Sequence, residues 1–236
     1  MNSFGQLGLF GSVPDKKSPQ ALSSENNFLA WHEQPFWALD VETTGLDPAS
    51  CRIIELALVP FNMPEQEKPF VSLFSIGQAL PKEITQITGI TDEMLKGQPS
   101  FLERLDEIVA ILKKAPFVLA YNSKFDRPFI ESEFARHSKA LPELAWVDPY
   151  IFICELDRFK RGKKLGDAAR RWGVHLGQAH RAADDAKAAG ELMLKLIDKI
   201  GIDSLDELLA KQKIWFWQNA HQVAEYKKSS TWEINR

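Results

Sequence analysis

Acidic side chains stand in this chain where a folding core would otherwise ask for apolar ones. Asp40 and Glu42 end the run Phe36-Trp37-Ala38-Leu39-Asp40-Val41-Glu42. Residues i and i+2 of a strand point to one face, so the two carboxylates project together. Two like charges side by side destabilise a fold unless a cation neutralises them. Asp126 opens a predicted helix just after the apolar run Phe117-Val118-Leu119-Ala120-Tyr121. Singly, the pair reads as a charged strand end and Asp126 as an acid favoured by the helix dipole. The third element is His180-Arg181-Ala182-Ala183-Asp184-Asp185-Ala186. On a regular helix His180 and Asp185 lie about 140° apart. Both face one site only if His180 sits on the loop before the helix, and helical geometry does not choose between Asp184 and Asp185.

Together these residues point to chemistry. Four carboxylates bring four negative charges, which two divalent ions cancel. All-oxygen ligands select hard cations such as Mg²⁺ or Mn²⁺. Two such ions ~3.5–4 Å apart suit in-line phosphoryl displacement. An unperturbed histidine, with a pKa of ~6.5, is mostly neutral at pH 7 and can take a proton from an attacking water.

Three β-branched and aromatic runs must position the first pair: 36–42, 52–59 and 70–76, separated by turn residues, as in an antiparallel meander. Helices then alternate with strands. Ser100 and Glu103 form a predicted capping box, with Leu102, Leu105, Ile108, Val109 and Leu112 at helical spacing behind it. Strands are expected at 117–121 and 146–148, and helices at 126–136 and 181–199, the last stopped by Gly201. This order predicts an α/β fold: a mixed sheet, antiparallel meander then parallel strands, with helices on its faces.

Asp40-Val41-Glu42-Thr43-Thr44-Gly45, Asn122-Ser123-Lys124-Phe125-Asp126 and His180 through Asp185 resemble, in order and spacing, the three motifs of the DEDDh 3′→5′ exonucleases. The resemblance covers roughly residues 34–200. Ile87-Thr88-Gly89-Ile90-Thr91-Asp92-Glu93-Met94-Leu95 is similar to the epsilon-type (DnaQ-like) proofreading exonucleases of DNA polymerase III. The resemblance implies a ribonuclease H-like fold and a hydrolase that releases nucleoside 5′-monophosphates from DNA 3′ ends, single-stranded or frayed. It implies Asp40 bridging two metal ions, Glu42 and Asp185 on the ion holding the attacking water, Asp126 on the leaving-group ion, and His180 as general base. The family's aspartate position favours Asp185 over Asp184. Thr43, Thr44, Gly45 and Leu46, with Asn122 and Phe125 opposite, would contact the terminal nucleotide, Leu46 as an apolar wedge. Tyr121 and Thr88 stand where many relatives have histidine. The same motifs serve RNA-trimming exoribonucleases, and a sliding-clamp- or polymerase-binding accessory protein with a relic site is a further alternative.

The chain carries 29 Lys+Arg against 32 Asp+Glu, a formal charge of −3. That excludes a global polycation, so contact with nucleic acid must be local or bridged by cations. Arg158-Phe159-Lys160-Arg161-Gly162-Lys163-Lys164 is a basic loop suited to phosphates. Cys51 and Cys154 lack disulfide-framework or metal-site spacing and read as core thiols. No apolar run reaches the ~18 residues of a membrane span, and the N-terminal stretch lacks a basic n-region. No membrane contact and a cytoplasmic location are therefore expected. Residues 1–30, rich in Ser, Gly, Asn, Gln and Pro, read as an arm before an exonuclease domain at 31–200. The arm carries Gln6-Leu7-Gly8-Leu9-Phe10, which resembles the pentapeptide that binds the bacterial sliding clamp through Gln6, Leu7, Leu9 and Phe10. Residues 201–236, with Trp215, Phe216 and Trp217, are expected to pack a helical aromatic stripe on the domain, or to dock a polymerase subunit.

Overall fold

The computed structural model describes residues 29–177 and 181–233, with side chains as far as residue 221. Its central strand is β1 (Phe36–Thr43). Both faces of β1 are covered, which is why its sequence shows no polar alternation until Asp40. Phe36 and Ala38 pack into one apolar cluster, Trp37, Leu39 and Val41 into the other. β2 (Ile53–Phe61) and β3 (Phe70–Leu73) continue antiparallel from β1, as in a meander. Three helices follow: α1 (Lys82–Thr88), α2 (Asp92–Leu95) and α3 (Phe101–Leu112). The Ser100–Glu103 capping box is present in full.

β4 (Phe117–Leu119) runs parallel to β1, and α4 (Asp126–Arg136) returns the chain to β5 (Ala145–Val147), parallel to β4. The sheet order is β3-β2-β1-β4-β5, the mixed α/β architecture expected from the sequence. α5 (Pro149–Leu156), α6 (Leu165–Trp172), α7 (Ala182–Lys195), α8 (Ile197–Ile200) and α9 (Leu205–Glu233) complete the described chain. Residues of α3 and α4 fill the cluster on one face of the sheet, and those of α5, α6, α7 and α9 fill the other. The helix expected over 181–199 is interrupted only at Leu196 and ends at Gly201 in a left-handed turn (φ 61°).

Some expectations need correction. The third strand was expected to reach Ile76 but ends at Leu73, although the Phe74 amide still donates to the Ile54 carbonyl (2.9 Å). Cys51 and Cys154 are free thiols but only partly buried. Of the aromatic segment in α9, Trp215 packs against Phe152 (5.5 Å between ring centroids), while Ile214, Phe216 and Trp217 are exposed. α9 is fastened to the sheet edge instead by Gln212. Its amide donates to the Trp146 carbonyl (2.9 Å) on the edge strand β5 and accepts from the Asp148 amide (2.7 Å) just beyond that strand. No described helix is long and apolar enough to cross a membrane.

α7 packs on the sheet through a buried face that includes Ala182, Ala186, Ala189 and Gly190. A Cβ at Gly190 would sit 2.4 Å from the Phe61 ring, itself stacked on Phe36 (4.8 Å, 5°) and unable to turn aside freely. Gly190→Ala should therefore destabilise the protein by about 1–3 kcal/mol through overpacking, against the ~1 kcal/mol that helix propensity alone would return. A urea-denaturation midpoint equal to or above wild type would show that α7 has slack.

Candidate active site

Alternation along β1 puts Asp40 and Glu42 on the face shared with Phe36 and Ala38, the face that α7 covers. Asp185 occupies the first turn of α7. One carboxylate oxygen from each of Asp40, Glu42 and Asp185 lies within 4.8 Å of the others. Asp126 arrives from the opposite side of the sheet at the start of α4, and its Oδ1 accepts the Val41 amide (3.2 Å). Two segments distant in sequence thus converge on the end of one strand. The choice between neighbours that helical geometry left open is resolved here. Asp185 joins the cluster, while the Asp184 carboxylate lies over Gly177, within 2.5 Å of where a Cβ there would be.

The cluster is electrostatically uncomfortable. Removal from water is the main cause pushing Asp40 well above the ordinary carboxylate range; the charges of Asp126, Asp185, Glu42 and Glu55 add to it. Glu42 rises to about 8, again chiefly by desolvation, then by Asp185 and Glu55, with Arg181 pulling the other way. Burial likewise raises Asp126, opposed by its bonds to its own amide and that of Val41, and reinforced by Asp148 and Glu42. Such an all-oxygen donor set, short of protons or positive partners, fits a hard divalent cation.

Three buried acids that sequence reasoning passed over hold the cluster's supports. Glu55, opposite Glu42 in the β1–β2 register, accepts from the Arg181 guanidinium (2.9 Å) and the Ala182 amide (3.2 Å). It therefore pins the first residues of α7, and with them Asp185. Asp148 accepts from the amides of Asn122 (2.7 Å), Ser123 (2.9 Å) and Tyr150 (3.0 Å). That holds the turn before α4, where Asn122 adopts φ 64°, a conformation asparagine tolerates better than most residues. Glu133, fully buried, takes a two-pronged bond from Arg52 (2.7 and 3.0 Å) and another from Arg136 (3.1 Å). Only Arg52-Ile53-Ile54-Glu55 carried a hint, an acid inside an apolar strand.

Thr43, Thr44, Gly45 and Leu46, expected to face a terminal nucleotide, form a turn at the end of β1. The Thr43 hydroxyl donates to the Gly45 carbonyl (2.6 Å), and the Thr44 hydroxyl accepts from the Arg52 amide (3.0 Å), so both stiffen the turn itself. A Cβ on Gly45 would meet Cys51 Sγ at 2.7 Å. Leu46, at the tip, is 85% exposed. Phe125 is half-buried against Phe129 (5.0 Å). Both residues expected to stand in place of a histidine are engaged internally: Tyr121 donates to the Lys163 carbonyl, and Thr88 to the Ile84 carbonyl (2.9 Å). His180 and the pentapeptide Gln6–Phe10 lie outside the described residues.

The profile of the family described as Exonuclease matches residues 37–193, which takes in the sheet, Asp40, Glu42, Asp126 and Asp185. The chain belongs to this exonuclease family. It is 32% identical over 171 residues to the DNA polymerase III subunit epsilon of Treponema pallidum, covering 71% of this chain and 79% of that one. It is 30% identical over 206 residues to the PolC-type DNA polymerase III of Streptococcus thermophilus, covering 86% of this chain. The chain spans only 14% of the length of that relative. Its fold resembles the nuclease domain of 3′hExo, a DEDDh family member, bound to rAMP, with a TM-score of 0.61, 20% identity, and coverage of 72% of this chain and 94% of that one.

For this exonuclease the raised carboxyl pKa values carry a pH signature. Each folded value exceeds the unfolded value of ~4, so the native state holds protons that the unfolded chain releases. The associated stability is present at low pH and is lost as pH rises toward about 8, where Glu42 titrates. In EDTA, the melting temperature should fall between pH ~5 and ~8. Asp40→Asn should flatten that fall, and Mg²⁺ or Mn²⁺ should offset it at the alkaline end. A melting temperature that rises across this range in EDTA would contradict the assignment.

Proposed function

We propose that the chain is a divalent-metal-dependent 3′→5′ exonuclease that trims DNA 3′ ends, single-stranded or frayed, during replication or repair in the cytoplasm. The observation that carries this reading is the convergence of Asp40, Glu42 and Asp185 within 4.8 Å, with buried Asp126 beside them. Similarity to polymerase III proteins supports DNA over RNA and a replicative polymerase subunit as partner. In this reading Asp40, Glu42, Asp126 and Asp185 hold two Mg²⁺ or Mn²⁺ ions. Such ions, when bound, would lower the pKa of water and offset charge on the phosphate.

The rest of the reaction belongs to side chains. His180 accepts a proton from the water that attacks the terminal phosphorus. The bond from that phosphorus to the 3′ oxygen of the preceding nucleotide breaks, leaving a nucleoside 5′-monophosphate and a new 3′ hydroxyl. The Thr43–Gly45 turn contacts the terminal nucleotide through its backbone and hydroxyls: the Thr44 hydroxyl, which accepts the Arg52 amide, keeps its proton to donate, and the Thr43 oxygen can still accept. Leu46 lies against the last base, and Asn122 and Phe125 form the opposite wall.

The deciding experiment is digestion of 3′-mismatched DNA, single-stranded DNA and RNA, each with Mg²⁺ and with EDTA. Metal-dependent release of deoxynucleoside 5′-monophosphates is expected; faster release from RNA would replace the reading with an RNA-trimming one. His180→Ala should lower kcat by ~10²–10⁴ with metal affinity nearly unchanged. The rise of wild-type activity with pH through the histidine titration should vanish in this variant, and an unaltered pH profile would move the base elsewhere.

The pentapeptide Gln6-Leu7-Gly8-Leu9-Phe10 supports a sliding clamp as a second partner. Leu9 and Phe10 would be paired apolar anchors and Gln6 a directional hydrogen-bonding group. Gly8 adds flexibility to the free peptide and should weaken binding. A synthetic peptide with this sequence should bind a bacterial clamp in a titration, and its Leu9→Ala/Phe10→Ala form should not. Equal weak binding by both would remove the clamp from the reading.

A further inference from the structure

The loop between α5 and α6 is a built feature. The Tyr121 hydroxyl donates to the Lys163 carbonyl, and the Lys163 ammonium donates back to the Asp157 carbonyl. Arg171 donates to the carbonyls of Arg161 (3.0 Å) and Gly162 (2.7 Å) while its Nε donates to Asp157 (2.8 Å). Gly162 takes φ 73°, which closes the loop. These bonds use up the inward-facing groups and leave an outward face. Phe159 on that face is 93% exposed, and Lys160, Arg161 and Lys164 are exposed beside it. No ion pair among the described residues involves those three cations.

A single exposed apolar residue is ordinary. What distinguishes Phe159 is its setting, an aromatic ring beside three cations that pair with no acid among the described residues, on a loop whose backbone is tied down. The place of the loop matters as well. Tyr121 immediately precedes Asn122, in the turn that leads to Asp126. β4 runs parallel to β1, so this turn and the carboxylates Asp40 and Glu42 lie at the same end of the sheet.

We infer that this loop is a ledge for single-stranded nucleic acid, on which Phe159 stacks against a base upstream of the 3′ end and Lys160 and Arg161 meet the flanking phosphates. The inference rests on the exonuclease reading for which end of the strand lies at the carboxylates, but not for the contact itself. An aromatic ring among cations is how proteins hold single strands without reading their sequence. The bonds that fix the loop reduce the ordering required on binding. Tyr121 gains a role here: in place of a family histidine, it ties the ledge to the turn before Asp126.

The test uses the full chain in EDTA and a fluorescent oligothymidylate dodecamer, with binding followed by anisotropy. Phe159→Ala should weaken binding about 10-fold, a loss within the range of one base stack, and Phe159→Trp should restore it. Lys160→Glu/Arg161→Glu should weaken binding further. It should also reduce the slope of log affinity against log salt by about 1.4, the share of two phosphates on a single strand. Unchanged binding by Phe159→Ala, or a salt slope unmoved by the double variant, overturns the ledge. Hydrolysis of the p-nitrophenyl ester of thymidine 5′-monophosphate with Mn²⁺, a substrate too short to reach the loop, separates the two readings. Wild-type failure on both this ester and the dodecamer would sink the exonuclease reading while leaving the binding result to judge the ledge.

Discussion

Mutual repulsion among the carboxylates at the end of β1 is the constraint that the surrounding structure has to withstand. Asp40 and Glu42 share one face, Asp185 closes on them from α7, and Asp126 approaches from α4. Without a cation the arrangement opposes folding, as the raised pKa values of Asp40, Glu42 and Asp126 record. It persists because each acid sits on backbone that is paired for other reasons. β1 is bonded on both sides, to β2 and β4. α7 is drawn down by an apolar cluster to which it contributes Ala182, Ala186, Ala188, Ala189, Leu192 and Met193. Hydrophobic burial on both faces of the sheet thus offsets a local electrostatic penalty, as expected of a site shaped for a ligand that the fold alone does not supply.

Two populations of buried or half-buried acid can be told apart by their donors. Glu55, Glu133, Asp148 and Asp157 each take bonds from arginine, tryptophan or backbone amides. Their charges are satisfied within the protein, and their work is to fix chain segments. No hydrogen-bond donor among the described residues reaches the carboxylates of Asp40 or Glu42, and their nearest charged neighbours are mainly other acids. Charge that the protein leaves uncompensated is charge available to a cation. The distinction rests on partners and not on burial, since Glu133 is more deeply buried than Asp40.

Much of this was legible in one dimension. The capping box at Ser100, the meander and the alternation that pairs Asp40 with Glu42 depend on residues close in sequence, where periodicity and propensity act. The supports were not legible for the opposite reason. Glu55 meets Arg181 across 126 positions, and Asp148 meets Asn122 across 26. α5 also escaped. Pro149-Tyr150-Ile151-Phe152-Ile153-Cys154 is apolar on nearly every side because it is buried among α7, α9 and the sheet, so it shows no helical period. Asp148, which looked like the end of a strand, is instead the N-cap of that helix, with its side chain accepting the Tyr150 amide.

α4 shows how the cluster and the proposed base wedge are coupled. Its first residue is Asp126, and its last, Arg136, donates to the carbonyls of Pro48 (2.5 Å), Ala49 (3.0 Å) and Cys51 (3.0 Å). Those carbonyls belong to the loop that carries Leu46. Glu133, one turn earlier, grips Arg52 at the foot of the same loop and accepts the Ile53 amide (3.3 Å) as well. An 11-residue helix, packed through Phe129, Ile130 and Phe134, therefore joins a carboxylate at one end to the base of an exposed leucine at the other. A helix this well packed moves as a unit or not at all. Any shift of Asp126 relative to β1 would carry the Leu46 loop with it, so the distance between the carboxylate cluster and the Leu46 tip is set by a rigid strut. In the proposed reading this is how an exposed tip such as Leu46 could define a position: the C-terminal half of its loop is tied to α4, and α4 is anchored by the apolar cluster on its face of the sheet.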